Sequence, residues 1–457
     1  MKTKAFLIAA PGSGSGKTLI TCGVLEAFKK RGLRCRAFKC GPDYIDPMFH
    51  KKVLNIPCKN LDTFFTGKEL TNSIFTDGAE KYDISVLEGV MGLYDGAGGI
   101  TDLASSYDLA RVLGVDIVIV IDAKGMSRTV LSLIKGLLAD DSEHRIKGVI
   151  LNRMSVSLCS LIEEEIEKLG IKCFGCFPED KELDLKSRHL GLVGPDEIDN
   201  IELIIEKAGA QAERTLKLDE LSGLETSLKG DVKKLYPESP VKTPGELKIG
   251  VSMDEAFCFY YEDNLELLKR MGAEVVSFSP LHDSALPEDI DGIYLIGGYP
   301  ELYLNELSSN TGMIKSIRDF YKAKKPIIAE CGGFMYLTES ITDDNGQNAE
   351  MVNIIKSRTR YKGRSTHFGY VEITGRDSNN FLKGTTARGH EFHYYESEDE
   401  GKCAKAVKPV TGRSWDCVHA AANFWAGFPH VYFYSDTDFV KNFLEAALKA
   451  GKDRIYI

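Results

Sequence analysis

The chain lacks any uninterrupted apolar stretch of the roughly 18 residues that a membrane-spanning helix requires, so nothing in it reads as a transmembrane segment. The apolar run Ala5–Ala10, although preceded by Lys2 and Lys4, is too short for a secretory signal and leads directly into a loop of small residues. Basic runs are missing too, and the formal net charge is -10, which excludes nucleic acid as the main partner and leaves the acidity as a solvated surface. Cysteine occurs 11 times, an odd number scattered along the chain, which argues against a disulfide framework and for free thiols in a reducing cytoplasm. At 457 residues the sequence is too long for a single core. Two domains of about 200 residues, or three smaller ones, are expected.

What is present is organised around residues 4–19, KAFLIAAPGSGSGKTL. An apolar strand, a loop of glycine and serine, and a helix opening at Lys17 follow one another, which is the order of a phosphate-binding loop. Backbone N–H groups of Gly12, Ser13, Gly14, Ser15 and Gly16 can converge on an anion, Lys17 reaches the terminal phosphates, and the Thr18 hydroxyl suits Mg²⁺. The expected ligand is a nucleoside triphosphate. The usual pattern begins with Gly where this chain has Pro11.

Further strands are expected at 34–40, 83–88, 115–122, 147–152 and 171–177, with a crossover helix over 130–138. The near-continuous apolar run VDIVIVID has the character of a strand buried on both faces of a parallel sheet, so this half is read as a doubly wound α/β domain. Ligands of such sheets bind at the carboxyl ends of the strands. Asp43, in the loop after the second strand, and Glu88, ending the third, therefore join Thr18 as hard-oxygen candidates for Mg²⁺. Asn152 leaves its strand either as a base-recognising amide or as a turn-former. Arg188 and His189 offer charge to an anionic group. A charged helical pattern is expected from Glu202 to about Leu228. After it comes a Lys-, Pro- and Gly-rich linker over Lys229–Gly245, so the domains are placed at 1–240 and 246–457.

The second half restarts with strands at 247–253, 291–296 and 326–330. The strand PIIAE runs straight into Cys331-Gly332-Gly333 and an apolar helix, the geometry of a nucleophile elbow in which the helix N-terminus is expected to lower the thiol pKa. A thiol nucleophile needs a base. His430 is the choice, with His390 and His393 as alternatives, and the bend at Gly297-Gly298 offers N–H groups for an oxyanion.

The motifs APGSGSGKT, KCGPDYIDP, LEGVMGLYDG, RHLGL, DEAFCFYYEDNLE, FSPLHDSALPEDIDGIYLIGGYPELY, AECGGFMYL and RGHEFHYY, in this order, resemble the cobyrinic acid a,c-diamide synthases of corrin biosynthesis. The resemblance implies a P-loop synthetase domain similar to dethiobiotin synthetase, joined to a class I glutamine amidotransferase domain. It implies ATP-dependent amidation of the a and c acetate side chains of a tetrapyrrole, with glutamine as ammonia donor and Mg²⁺ as cofactor. In that frame Cys331 is the glutaminase nucleophile, His430 its base, Asp95 a catalytic-loop acid, and Tyr44, Arg188 and His189 meet the substrate. A homodimer is compatible with it. Nickel-sirohydrochlorin and hydrogenobyrinate are alternative substrates for the same chemistry, and a non-catalytic ATP-switched partner protein is the alternative of another class. Two departures stand out. Ala329 replaces the first Gly of the usual G-x-C-x-G elbow, and Tyr432 stands where the amidotransferase Glu two residues after the His is expected, which leaves the orientation of His430 unexplained.

Overall fold

In a computed structural model, residues 1–183, 187–188, 191–192, 198–243 and 246–452 are described. The chain divides into two compact units, Met1–Leu235 and Tyr236–Ile457.

The first unit is built on the strands β1 (Lys2–Ala9), β2 (Cys35–Cys40), β3 (Cys58–Leu61), β4 (Ile84–Glu88), β5 (Asp116–Asp122), β6 (Ile146–Asn152) and β7 (Lys172–Phe177). They lie in the order β3-β2-β4-β1-β5-β6-β7, all parallel. The central strands are buried along almost their whole length, as their apolar runs require when helices cover both faces. Helix α1 (Lys17–Lys30) packs against the helix Ile201–Thr215, and the contact is close enough that a Cβ at Gly23 would lie 3.0 Å from the Ala208 carbonyl oxygen. This contact fixes the helix that carries Lys17 and Thr18. The charged helical pattern ends earlier than the sequence suggests. A strand β8 (Glu225–Ser227) pairs antiparallel with the start of β1, Lys2 opposite Ser227.

Cys173-Phe174-Gly175-Cys176 has C-x-x-C spacing on β7. A register shift there pairs Cys173 with Val149 and Cys176 with Leu151, which brings both thiols to one face, and the Cys173 sulfur lies 3.9 Å from that of Cys159. Every cysteine of the chain is a free thiol.

The second unit carries β9 (Lys248–Ser252), β10 (Phe257–Phe259), β11 (Glu274–Phe278), β12 (Gly292–Leu295), β13 (Gly297–Gly298) and β14 (Ile327–Glu330). Later in the chain come β15 (Arg358–Gly375), β16 (Thr386–Ser397), β17 (His419–Ala421), β18 (Phe424–Gly427) and β19 (His430–Val431). Its main sheet runs β11-β9-β12-β14-β18-β17, parallel except for the β17–β18 edge pair. A second, mixed sheet includes the long pair β15 and β16 and ends on β19, which pairs His390 with His430. Both sheets therefore converge on the segment 427–431.

Candidate functional site

In the first unit the phosphate loop turns into α1 through Gly16, whose φ of 90° favours glycine. A Cβ there would also lie 2.3 Å from Nδ2 of Asn152. That amide donates to the Ser15 carbonyl at 2.9 Å, so Asn152 braces the loop. Lys17 Nζ donates to the carbonyls of Met91, 2.7 Å, and Gly12, 3.1 Å. Burial, and Lys39 nearby, pull its ammonium down to about 8.

Around Thr18 the structure redraws the acidic set. The hydroxyl lies 2.6 Å from Glu88 Oε1 and 3.2 Å from Asp46 Oδ1. Asp43, expected as a metal ligand, instead accepts the Ile45 and Asp46 N–H groups at the start of the short helix α2 (Ile45–Met48). One turn of chain thus carries Asp46, not Asp43, toward Thr18. Lys39 is buried beneath this group, donating to Asp46, to Glu88 at 3.3 Å and to the Gly89 carbonyl at 3.0 Å. The His50 ring nitrogen Nε2 lies 3.0 Å from the other Glu88 oxygen. Burial works to raise the Glu88 carboxyl, but Lys39 and His50 outweigh it and hold it below the ordinary carboxylate range. Burial, with Asp43 and Glu88 alongside, raises Asp46. Three hard-oxygen groups, with a cation already held between two of them, fit Mg²⁺ in donor chemistry.

Asp95 accepts the Gly92 N–H at 2.9 Å, within a loop that Leu93 ties to the Ala10 carbonyl. Tyr44 is buried at the entry of α2. Of the candidates for an anionic group, the Arg188 side chain and His189 lie outside the described residues.

In the second unit β14 ends at Glu330 and the chain reverses at Cys331, whose φ of 48° is strained for a residue with a Cβ, into the short helix α3 (Gly332–Leu337). The turn is closed by contact: a Cβ at Gly333 would sit 2.3 Å from the Leu295 carbonyl oxygen, and one at Gly332 2.9 Å from the Gly298 nitrogen. The Cys331 N–H donates to the Gly427 carbonyl at 2.8 Å, tying the elbow to β18. The thiol is 7 % exposed. Burial, then Glu301, Glu391 and Glu330, push it well above the ordinary thiol value. The expected lowering by the helix N-terminus does not prevail, because desolvation and three carboxylates outweigh the Gly332 N–H. At rest the Cys331 side chain is held as the thiol.

Gly297 and Gly298 are wedged between the elbow and His430. A Cβ at Gly297 would approach His430 Cε1 to 2.4 Å, while Gly298 lies against Gly332. His390 stacks on His430, centroids 4.9 Å apart at 11°, and its Nδ1 is 2.9 Å from the Tyr261 hydroxyl. Burial, and then His430, hold His390 well below the ordinary imidazole range, so it lies against His430 as a neutral ring. His393 is committed elsewhere, stacked on Phe428 at 3.8 Å and bonded to Glu391 at 2.8 Å. Sequence reasoning passed over Glu330, which sits 3.8 Å from His430 Nδ1. Its place directly before Cys331 was the available signal.

Among the described residues no helix is long and apolar enough to cross a membrane.

Residues 6–193 match the CobQ/CobB/MinD/ParA nucleotide binding domain family, and residues 248–438 the CobB/CobQ-like glutamine amidotransferase domain family. A cobyrinate a,c-diamide synthase of Caldanaerobacter subterraneus subsp. tengcongensis is 37 % identical over 98 % of this chain and 99 % of its own. Relatives of the same name from Clostridium tetani and Clostridium acetobutylicum are 38 % and 40 % identical over 97 % and 96 % of this chain, and 100 % and 99 % of theirs. With likeness of this degree running through both units, the chain belongs to the cobyrinate a,c-diamide synthase family.

Proposed function

We propose that the protein is a cytoplasmic carbon–nitrogen ligase that amidates the a and c acetate carboxylates of cobyrinic acid, consuming ATP and glutamine. The observation that carries this reading is one chain holding both a triphosphate loop with Lys17 and Thr18 and a thiol elbow at Cys331 beside His430, over the full length of relatives bearing that name. The two units, near the expected 1–240 and 246–457, correspond to carboxylate activation and nitrogen supply.

A carboxylate is anionic and resonance-stabilised, so it resists attack by ammonia until it is activated. Transfer of the ATP γ-phosphoryl group to it gives an acyl phosphate, from which ammonia displaces phosphate. Lys17 leaves its two carbonyl partners for the phosphate oxygens and neutralises charge developing there. Thr18, Glu88 and Asp46 would hold Mg²⁺, which supplies charge neutralisation at the phosphates. Gly12–Gly16 cradle the triphosphate with Asn152 bracing them, and Asp95 meets the substrate or the forming acyl phosphate.

At the other site His430 takes the Cys331 proton as sulfur attacks the glutamine amide carbon, the oxyanion facing Gly297 and Gly298. The same imidazole protonates the departing ammonia, and water hydrolyses the thioester to glutamate. Tyr44, Arg188 and His189 are assigned to the tetrapyrrole.

The test incubates purified protein with ATP, Mg²⁺, glutamine and, separately, cobyrinic acid, hydrogenobyrinic acid and nickel-sirohydrochlorin, and reads the product masses. Two amide substitutions on cobyrinic acid are expected. Turnover confined to another tetrapyrrole, or none, overturns the assignment.

A further inference from the structure

Class I amidotransferases orient the catalytic imidazole with a Glu two residues further on, but here that position is Tyr432, which carries no carboxylate. Its ring packs edge-on against Tyr261, centroids 5.1 Å apart, and the Asp263 carboxylate acts on its hydroxyl. Around His430 lie Glu330 of β14, His390 of β16 with Tyr261 behind it, and Gly297 of β13; Cys331 follows Glu330 in the chain, and Tyr294 of β12 reaches the Glu330 carboxylate.

Glu330 is buried, 2 % exposed, and its two oxygens are separately engaged. Oε1 accepts the N–H of Val431, the residue after His430, at 2.9 Å. Oε2 accepts the Tyr294 hydroxyl at 2.6 Å and lies 3.8 Å from His430 Nδ1. The carboxylate is thus held from both sides and aimed at one edge of the imidazole. A separation of 3.8 Å without substrate is the kind that tightens when a catalytic site assembles.

We propose that Glu330 is the positioning residue for His430, replacing the missing downstream Glu from the strand that carries the nucleophile. It fixes the tautomer with the proton on Nδ1, which leaves Nε2 unprotonated. Nε2 then takes the proton from Cys331 as the S–C bond to the glutamine amide carbon forms. It returns that proton to the nitrogen as the C–N bond breaks, and the carboxylate steadies the imidazolium in between. Tyr294 is the second-layer donor that keeps Oε2 in place.

This inference rests on the glutaminase reading of Cys331 and His430, and the experiment separates the two. In the full-length protein, glutamate release from glutamine and ammonia-dependent tetrapyrrole amidation are measured in parallel. Glu330→Gln keeps size and both backbone and tyrosine contacts within reach but removes the charge. Glutaminase kcat is expected to fall by roughly 10²- to 10⁴-fold, as when a triad carboxylate is replaced by its amide. The KM for glutamine should stay within about threefold, and ammonia-dependent synthesis should be retained. The acid limb of the glutaminase pH profile should move to lower pH, because the imidazolium loses its anionic neighbour. Glu330→Asp should recover part of the kcat. A merely structural role would not move the pH limb. Glutaminase kcat within about threefold of the parent, with an unmoved acid limb, overturns the proposal.

Should Glu330→Gln not fold, Tyr294→Phe keeps the carboxylate and removes a competing donor from Oε2, so the acid limb is expected to move to higher pH. No movement overturns the proposal. Cys331→Ala is the control. If it retains glutaminase activity, the glutaminase reading itself fails; if it loses that activity while Glu330→Gln behaves as the parent, only the positioning role fails.

Discussion

A single methyl group placed at Gly297 tests how tightly the base is held. In the structure a Cβ built there lies 2.4 Å from His430 Cε1 and 3.3 Å from the Phe259 Cβ, whereas ordinary contacts begin at 3.4 Å. Relief therefore needs the imidazole to move by about 1 Å, since β13 cannot back away: on its other side a Cβ at Gly298 would already lie 2.0 Å from the Ala256 carbonyl oxygen. Misplacing a catalytic group by about 1 Å costs on the order of 10²-fold in rate, about 2.7 kcal/mol of barrier. Gly297→Ala is accordingly expected to lose about 10²-fold in glutaminase kcat/KM. Overpacking one methyl group destabilises the fold by about 1–3 kcal/mol, visible as a small fall in Tm. The assay is glutamate release under glutamine titration, with ammonia-dependent amidation of the tetrapyrrole as internal reference, because that activity needs neither His430 nor Gly297. Unchanged kcat/KM in the variant would refute the placement of His430 against β13.

Other perturbations address the nucleotide site. Lys17 is held to about 8 by burial and by Lys39, so its charge is full below that pH and lost above it. Phosphate binding favours the charged form, hence the ATP dissociation constant, measured by calorimetry, should be flat below pH 7 and rise above pH 8, approaching tenfold per unit; a flat profile to pH 9.5 contradicts the burial argument. Asp46→Asn should depress amidation from glutamine and from ammonia alike, whereas Asp43→Asn, whose amide oxygen can still cap α2, should change it little. The reverse ranking would return the metal role to Asp43. Glu88→Gln should raise the Mg²⁺ concentration needed for half-maximal rate, while Asp95→Asn should lose turnover with little change in that requirement; equal shifts in the two Mg²⁺ titrations refute the division of labour.

Much of the scaffold was legible because parallel strands buried on both faces write themselves as apolar runs, as in Asp116–Asp122, and because strand ends mark where ligands sit. What a strand end does not reveal is the direction of the next side chains. Asp43 and Asp46 both follow β2 within a few residues, and only the turn of α2 decides that one caps the helix while the other faces Thr18. Lys39 was silent for a related reason: a lysine inside a strand reads as a solvated residue, and its burial among two carboxylates is a tertiary fact. Glu330 was hidden because the nucleophile pattern draws the eye to Cys331 and beyond, whereas the relevant contact crosses from β14 to β19. The thiol pKa was misjudged by weighing the helix N-terminus alone, when desolvation is the larger effect. The mixed sheet around β15 and β16 had no single-segment signature, since its pairing is long-range and its exposed strand positions alternate irregularly.

Glu330 and Cys331 are consecutive residues, as are His430 and Val431, and the Val431 N–H···Glu330 hydrogen bond clasps the two dipeptides together. Thermal breathing of either sheet then carries the sulfur with the carboxylate, and the imidazole with the amide that grips that carboxylate. Positional error becomes largely common-mode, leaving the separation between the dipeptides as the one coordinate that must be controlled. It follows that the geometric duty falls on the backbone of Val431, so that Tyr in place of Glu at position 432 leaves the clasp intact.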